Sequence, residues 1–167
     1  MPAVTHDLTL DDIAAVQAVM AEATHPRQVL IAAEALSKKV LGHKGCTMFR
    51  YIHATEEVER LHSSNLQAYP LGGRKKIAAY PVNQAVLAKG QVYVAKDRDD
   101  VAKTYKDFER IFAMGVTSIM NVPVRQGGRN IGALNVFGEA GWFDARAQAR
   151  GRIVASLMVP ALLAWPD

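Results

Sequence analysis

Apolar positions along this chain change period several times, and each change marks a structural element. From Thr9, the residues Ile13, Val16, Met20 and Ala23 recur at helical spacing, with Thr9 placed to cap and Asp11 and Asp12 suited to the positive end of the helix. A second helix opens at Pro26, carries Val29, Ala33, Leu36 and Val40, and stops at Gly42, with Lys38 and Lys39 in its last turn. The period then shortens. Cys46 to His53 predicts a strand covered on both faces, and Val58 to Ser64 its antiparallel partner, with Val58, Arg60 and His62 alternating against Glu59, Leu61 and Ser63. Residues 65–80 hold Pro70, Gly72-Gly73 and the cations Arg74-Lys75-Lys76; they read as a ligand-covering connection with room for one short strand.

Pro81 to Gly90 predicts a short helix and Gln91 to Ala95 a strand. Asp99-Asp100 opens a helix in which Val101, Tyr105, Phe108 and Phe112 recur at helical spacing as far as Gly115. Two β-branched runs, Gly115 to Val124 and Asn130 to Phe137, flank Gly127-Gly128 and predict a long hairpin. Unbroken pairing about that turn sets Asn121 opposite Leu134 and Ile119 opposite Val136, and sends Asn121 and Asn135 to opposite faces. Asp144 to Ala164 completes the order as a helix kinked at Pro160, with Val154, Met158, Ala161 and Trp165 on one stripe. The sum is an α+β fold: a central antiparallel sheet of five to six strands, terminal helices on one face, and short helices and loops over a cavity on the other.

The hairpin, with Ser118, Val122-Pro123-Val124, Gly128 and Ile131-Gly132-Ala133-Leu134, resembles the closing strands of GAF domains. Asn83 to Asp97 is similar to the preceding helix-and-strand signature of that family, with Lys89 where threonine is usual, and Cys46 to Tyr51 resembles its first strand. The resemblance implies a GAF-like, PAS-related single domain over residues 1–167, with an N-terminal helix in 1–25 and the core and C-terminal helix in 26–164. It also implies a small-molecule pocket lined by Phe49, Ile119 and Asn121. Tyr80, Asp97, Tyr105, Phe108 and Phe112 in the covering segments complete the candidate ligand-binding set, Asp97 being suited to hold an amine or, as the safer reading, to cap the helix after it.

Composition narrows the function classes. The chain has 167 residues, half of them apolar, which fits one domain with a sizeable core. No run approaches the roughly 20 apolar residues of a membrane span. The opening Met1-Pro2-Ala3-Val4-Thr5 lacks the basic and apolar regions of a signal peptide, so a cytoplasmic protein is expected. The net charge is +4, but the basic residues are scattered without interleaved stacking aromatics, which argues against nucleic acid. A single cysteine, Cys46, rules out an intrachain disulfide. His53 and His62 on neighbouring strands have no spacing that forces them onto a metal, and neither a Gly-x-Ser-x-Gly elbow nor a P-loop is present.

The sequence therefore predicts a non-enzymatic sensory domain that binds a small organic ligand, anions included. It signals as a homodimer through terminal helices bearing Ile13, Val16 and Met158. The cofactor stays unspecified, and no catalytic or metal residue is assigned. Two alternatives accompany this reading. One is a small enzyme of the free methionine sulfoxide reductase type, or other thiol chemistry at Cys46, although that reductase cycle uses several cysteines. The other is a ligand-free protein-interaction domain. The signatures of cyclic-nucleotide-binding and bilin-binding members of the family are missing.

Overall fold

The structure, a computed structural model, describes residues 6–166. Helix α1 (Leu10–Glu22) starts at Thr9, where Thr9 and Asp12 cap each other reciprocally. Helix α2 (Arg27–Leu41) ends at Gly42, whose φ of 62° lets its N–H return to the carbonyl of Lys38. Strands β1 (Gly45–Ile52), β2 (Glu57–Ser63) and β3 (Arg74–Lys76) follow, β3 being the short strand within the covering connection. A 3-10 turn (Ile77–Ala79), helix α3 (Pro81–Asn83) and a π-helical turn (Gln84–Ala88) lead to β4 (Tyr93–Ala95). Helices α4 (Arg98–Thr104) and α5 (Phe108–Ala113) precede the hairpin β5 (Ser118–Gln126) and β6 (Arg129–Gly138), then α6 (Ala145–Leu157) and α7 (Val159–Leu163).

The six strands form one antiparallel sheet in the order β3-β2-β1-β6-β5-β4. One face carries Cys46, Met48, Leu61, Met120, Val122, Leu134 and Val136 into the main core, against Leu30, Ala33 and Val40 of α2 and Val154 and Met158 near the C-terminus. Helix α6 comes very close to the sheet: a Cβ on Gly151 would sit 2.9 Å from Met120 Cε and 3.1 Å from Val122 Cγ2. Val16 and Met158, expected on a dimer-forming stripe, are 3% and 0% exposed and belong to this core. No helix among the described residues is long and apolar enough to cross a membrane. The expectation for Met1 to Thr5 falls outside the described residues.

Several sequence expectations change. The helix expected from Asp99 to Gly115 is two, because Tyr105 leaves helical geometry (φ −113°, ψ 124°) and the chain turns before α5. The C-terminal helix breaks at Met158, with Pro160 in the first turn of α7, where its missing N–H costs nothing. The largest change is register. Gln126 pairs with Arg129 and Arg125 with Asn130, as expected, but a bulge then leaves Ile131 over and sets Val124 against Gly132. One extra residue turns the rest of β6 over, so Asn121 faces Asn135, Ile119 faces Phe137, and both asparagines share a face. A second bulge, between Met48 and Phe49 on β1, pairs Met48 with His62 and Phe49 with Arg60. It breaks the alternation of β2, and His62 reaches Glu34 of α2 instead of following Arg60.

His43, just beyond α2, is buried. Its Nε2–H donates to Ser37 Oγ (2.7 Å), whose own proton goes to the Glu34 carbonyl (2.9 Å), and His43 Nδ1 is left buried without a partner. Burial pulls the imidazole from 6.5 to about 4, with the Lys38 cation adding to the effect and Glu34 opposing it.

Candidate functional site

The face of the sheet opposite the main core is covered by the segment 65–88 and by α4 and α5, and between cover and sheet lies a cavity of about 100 Å³. The cover is pinned at several points. Tyr69 donates its hydroxyl proton to Asp107 Oδ2 (3.1 Å), Arg110 reaches the Ala68 carbonyl (3.2 Å), and Tyr93 OH meets Thr104 Oγ1 (2.8 Å). Asn130, beside the bulge of β6, donates to the carbonyl of Leu87 and holds the π-helical turn against the sheet.

The floor carries a directed chain of side-chain hydrogen bonds. Tyr105 OH donates to Asn121 Oδ1 (2.5 Å), Asn121 Nδ2 to Asn135 Oδ1 (2.6 Å), and Asn135 Nδ2 to Thr47 Oγ1 (3.3 Å). It links a cover residue to three neighbouring strands, and the bulge at Ile131 brings its two asparagines together. Tyr105 is held well above the ordinary phenol range, chiefly by burial, so its hydroxyl stays a proton donor. Tyr69 is raised likewise, by burial and by Asp107.

At the β2 side stands Arg60, 6% exposed, its guanidinium carbon 5.1 Å from the centre of the Phe49 ring and 5.2 Å from that of Tyr69, within cation–π reach. Its Nη1 donates to the Pro70 carbonyl (2.8 Å), while its Nε is buried without a partner. Lys75 also lines the cavity and lies 5.0 Å from the centre of the Tyr80 ring, with Lys106 at 5.7 Å from the same ring.

Of the sequence candidates, Phe49, Tyr80, Tyr105, Ile119 and Asn121 are brought together around this cavity. Asp97, Phe108 and Phe112 are not. Asp97 caps α4 by accepting from the Asp100 N–H (3.0 Å). Phe108 and Phe112 pack edge to face at 5.7 Å on α5, and Arg98 lies 3.8 Å from the Phe112 ring centre. Their helical spacing to Val101 and Tyr105 depended on a continuous helix, which the turn at Tyr105 interrupts. Of the run Arg74-Lys75-Lys76, Lys75 alone lines the cavity.

Arg60, Tyr69, Asp107, Asn135 and Thr47 line the cavity and escaped sequence reasoning. For Arg60 a signal existed: a cation alternating with Val58 on a strand whose neighbours are covered. For Asn135 none did, since only the bulge turns it to this face.

Cys46 lies on the other face of the sheet, 0% exposed, and burial pushes its thiol far above the ordinary range. Its sulfur and donor atoms of Glu34 and His62 lie within 4.8 Å of one another, a cluster separated from the cavity by the sheet. In the native protein, Cys46 is expected to react with Ellman's reagent at pH 8 at least about 100-fold more slowly than in denaturant. A native rate near the denatured one would return the thiol to consideration as a reacting group.

No protein-family model matches the chain, and no curated protein matches it. Solved structures do match. The GAF domain of an Acinetobacter phosphoenolpyruvate-protein phosphotransferase aligns over 95% of this chain and 95% of its own, with 12% identity and a TM-score of 0.74. The free methionine-R-sulfoxide reductase of Neisseria meningitidis, solved in complex with its substrate, aligns over 98% of this chain and 97% of its own, with 19% identity and a TM-score of 0.68. The chromophore-binding domain of a bacteriophytochrome from R. palustris aligns over 89% of this chain and 59% of its own, with 11% identity and a TM-score of 0.65.

Proposed function

We propose that this chain, whose fold is that of GAF domains, is a cytoplasmic, non-enzymatic sensory domain that encloses a small organic ligand. The observation that carries this reading is the covered cavity whose floor chain runs from Tyr105 through Asn121 and Asn135 to Thr47. A cavity of about 150 Å³ takes a molecule the size of benzene. The volume here, about 100 Å³, therefore suits a compact metabolite and is far too small for a tetrapyrrole. The neighbours include a phosphotransferase domain, a chromophore-binding domain and a methionine sulfoxide reductase, so a common fold serves different tasks and the site decides. Thiol catalysis at the cavity is disfavoured because Cys46 lies across the sheet from it. The reading includes a homodimer joined through the outer helix surface, where Ile31, Ile153 and Leu163 remain exposed.

Native mass spectra of protein purified without refolding, compared with spectra after denaturing extraction, test both parts. The expected result is a discrete non-covalent adduct on a dimeric mass, absent from an Ala133→Phe variant in which a ring fills the cavity. An adduct that survives Ala133→Phe, or protein that neither carries an adduct nor is thermally stabilised by any compound of a metabolite panel, would overturn ligand enclosure. A monomeric mass would remove the dimer. At a ligand concentration 100 times Kd, stabilisation should be about 2.7 kcal/mol.

A further inference from the structure

We infer that the ligand is a small organic carboxylate whose anionic group is received by the guanidinium of Arg60, an inference that rests on the cavity being a ligand site. The argument begins with the cost of the residue. A charged side chain taken out of water is expensive unless it is paired, and buried cations are normally met by an anion. Arg60 is 6% exposed and has no ion-pair partner among the described residues; Glu59, its neighbour in sequence, is engaged by Arg50 and Arg74. Among the described residues, the only carboxylate lining the cavity, Asp107, accepts the Tyr69 hydroxyl proton and attracts Arg60 without forming an ion pair with it.

The arrangement nevertheless fixes the guanidinium in place. The Phe49 and Tyr69 rings flank it at cation–π distance, and Pro70 holds Nη1 through a carbonyl positioned by the backbone bonds Arg60 N–H to Gly73 O (3.1 Å) and Gly72 N–H to Arg60 O (2.9 Å). What remains is Nε, a donor with no acceptor in a residue that lines the cavity. A guanidinium flanked by two rings and bonded through Nη1, with its Nε donor unanswered, keeps the forked N–H geometry that matches the two oxygens of a carboxylate. Lys75 adds a second positive charge at the lining, so Arg60 and Lys75 outnumber Asp107. Val58, Val82 and Ile119 supply an apolar wall for the rest of the molecule, and the floor chain at Asn121 offers hydrogen bonds to a carbonyl or hydroxyl at its far end.

The test is calorimetric titration and thermal shift with lactate, 2-oxobutyrate, propionate and butyrate, each beside its primary amide, together with inorganic phosphate. Wild type, Arg60→Lys, Arg60→Gln and Ala133→Phe are compared, with near-ultraviolet circular dichroism reporting the fold of each. At least one acid is expected to bind wild type about tenfold or more tighter than its amide. Both Arg60 variants should erase that preference, Arg60→Lys included, since it keeps the charge and loses the fork. Equal binding of acid and amide, an undiminished preference in both Arg60 variants, phosphate binding that outcompetes every acid, or no acid bound at all would each overturn the carboxylate assignment. Neutral amides that bind wild type and are lost in Ala133→Phe would sink this inference while leaving ligand enclosure standing. Acids whose binding ignores Ala133→Phe would instead sink the cavity as the site.

Discussion

Replacing Gly132 with valine should destabilise the protein by about 4 kcal/mol or more, lowering its melting temperature by about 8–16 °C, or prevent folding altogether. The reason is position. Gly132 lies on β6 between Arg50 of β1 and Val124 of β5, so ladders run along both its sides. An ideal Cβ there would stand 2.2 Å from the Phe49 carbonyl oxygen and 2.4 Å from Leu162 Cδ2. The leucine can turn aside, but the carbonyl belongs to the β1 backbone, and moving it opens the sheet beneath the cavity. Gly128 is the contrast: it has φ +76° with nothing within 4 Å of its added Cβ, so alanine there meets only backbone strain, about 1 kcal/mol. Denaturant melts of the two variants should therefore differ widely. Equal losses would show that strand crowding at 132 is relieved without cost.

Acidification should weaken the fold well before most carboxylates titrate, and His43 should account for it. Its tautomer is set by the chain from Nε2–H to Ser37 to the Glu34 carbonyl, which leaves Nδ1 as a bare lone pair in a buried place. A proton added there has no acceptor, and the nearby Lys38 cation opposes it. Because the folded value, about 4, lies below the unfolded 6.5, the neutral form stabilises the fold above pH 6.5. That contribution falls away as the pH drops from 6.5 and is fully lost below about 4. At 1.36 kcal/mol per pH unit the full loss is roughly 3 kcal/mol. His43→Gln keeps a donor for Ser37 and should flatten the stability profile between pH 6.5 and 4, as read from urea midpoints at fixed salt. A variant profile as steep as the wild type would assign the acid sensitivity to carboxylates such as Glu34, which the hydrogen bond to His62 holds below the ordinary range.

Much of the architecture was legible because it is written in periodicity and punctuation. Thr9, Gly42, Asp97 and Asp144 each end or begin an element by a local hydrogen bond or a left-handed turn, and the runs between them keep their period. The cavity residues Phe49, Ile119 and Asn121 followed from the family resemblance. What stayed hidden depends on single residues that break a period without announcing it. Ile131 and the step at Met48/Phe49 are apolar or ordinary strand residues, yet each shifts a register by one place and decides which face Asn135 and His62 occupy. Alternation from the hairpin turn was sound as far as Arg125 and failed beyond it. Tyr105 gives a similar lesson: its helical spacing to Phe112 is accidental, because its backbone is already extended.

Gly151 allows α6 to lie directly on Met120 and Val122, the two residues that flank Asn121 in the chain. The partition between the cavity and the outer helices is thus a single backbone thick at this point, with its polar surface on one side and its bearing surface on the other. Any displacement of the Asn121 peptide is felt by a helix without an intervening layer to absorb it.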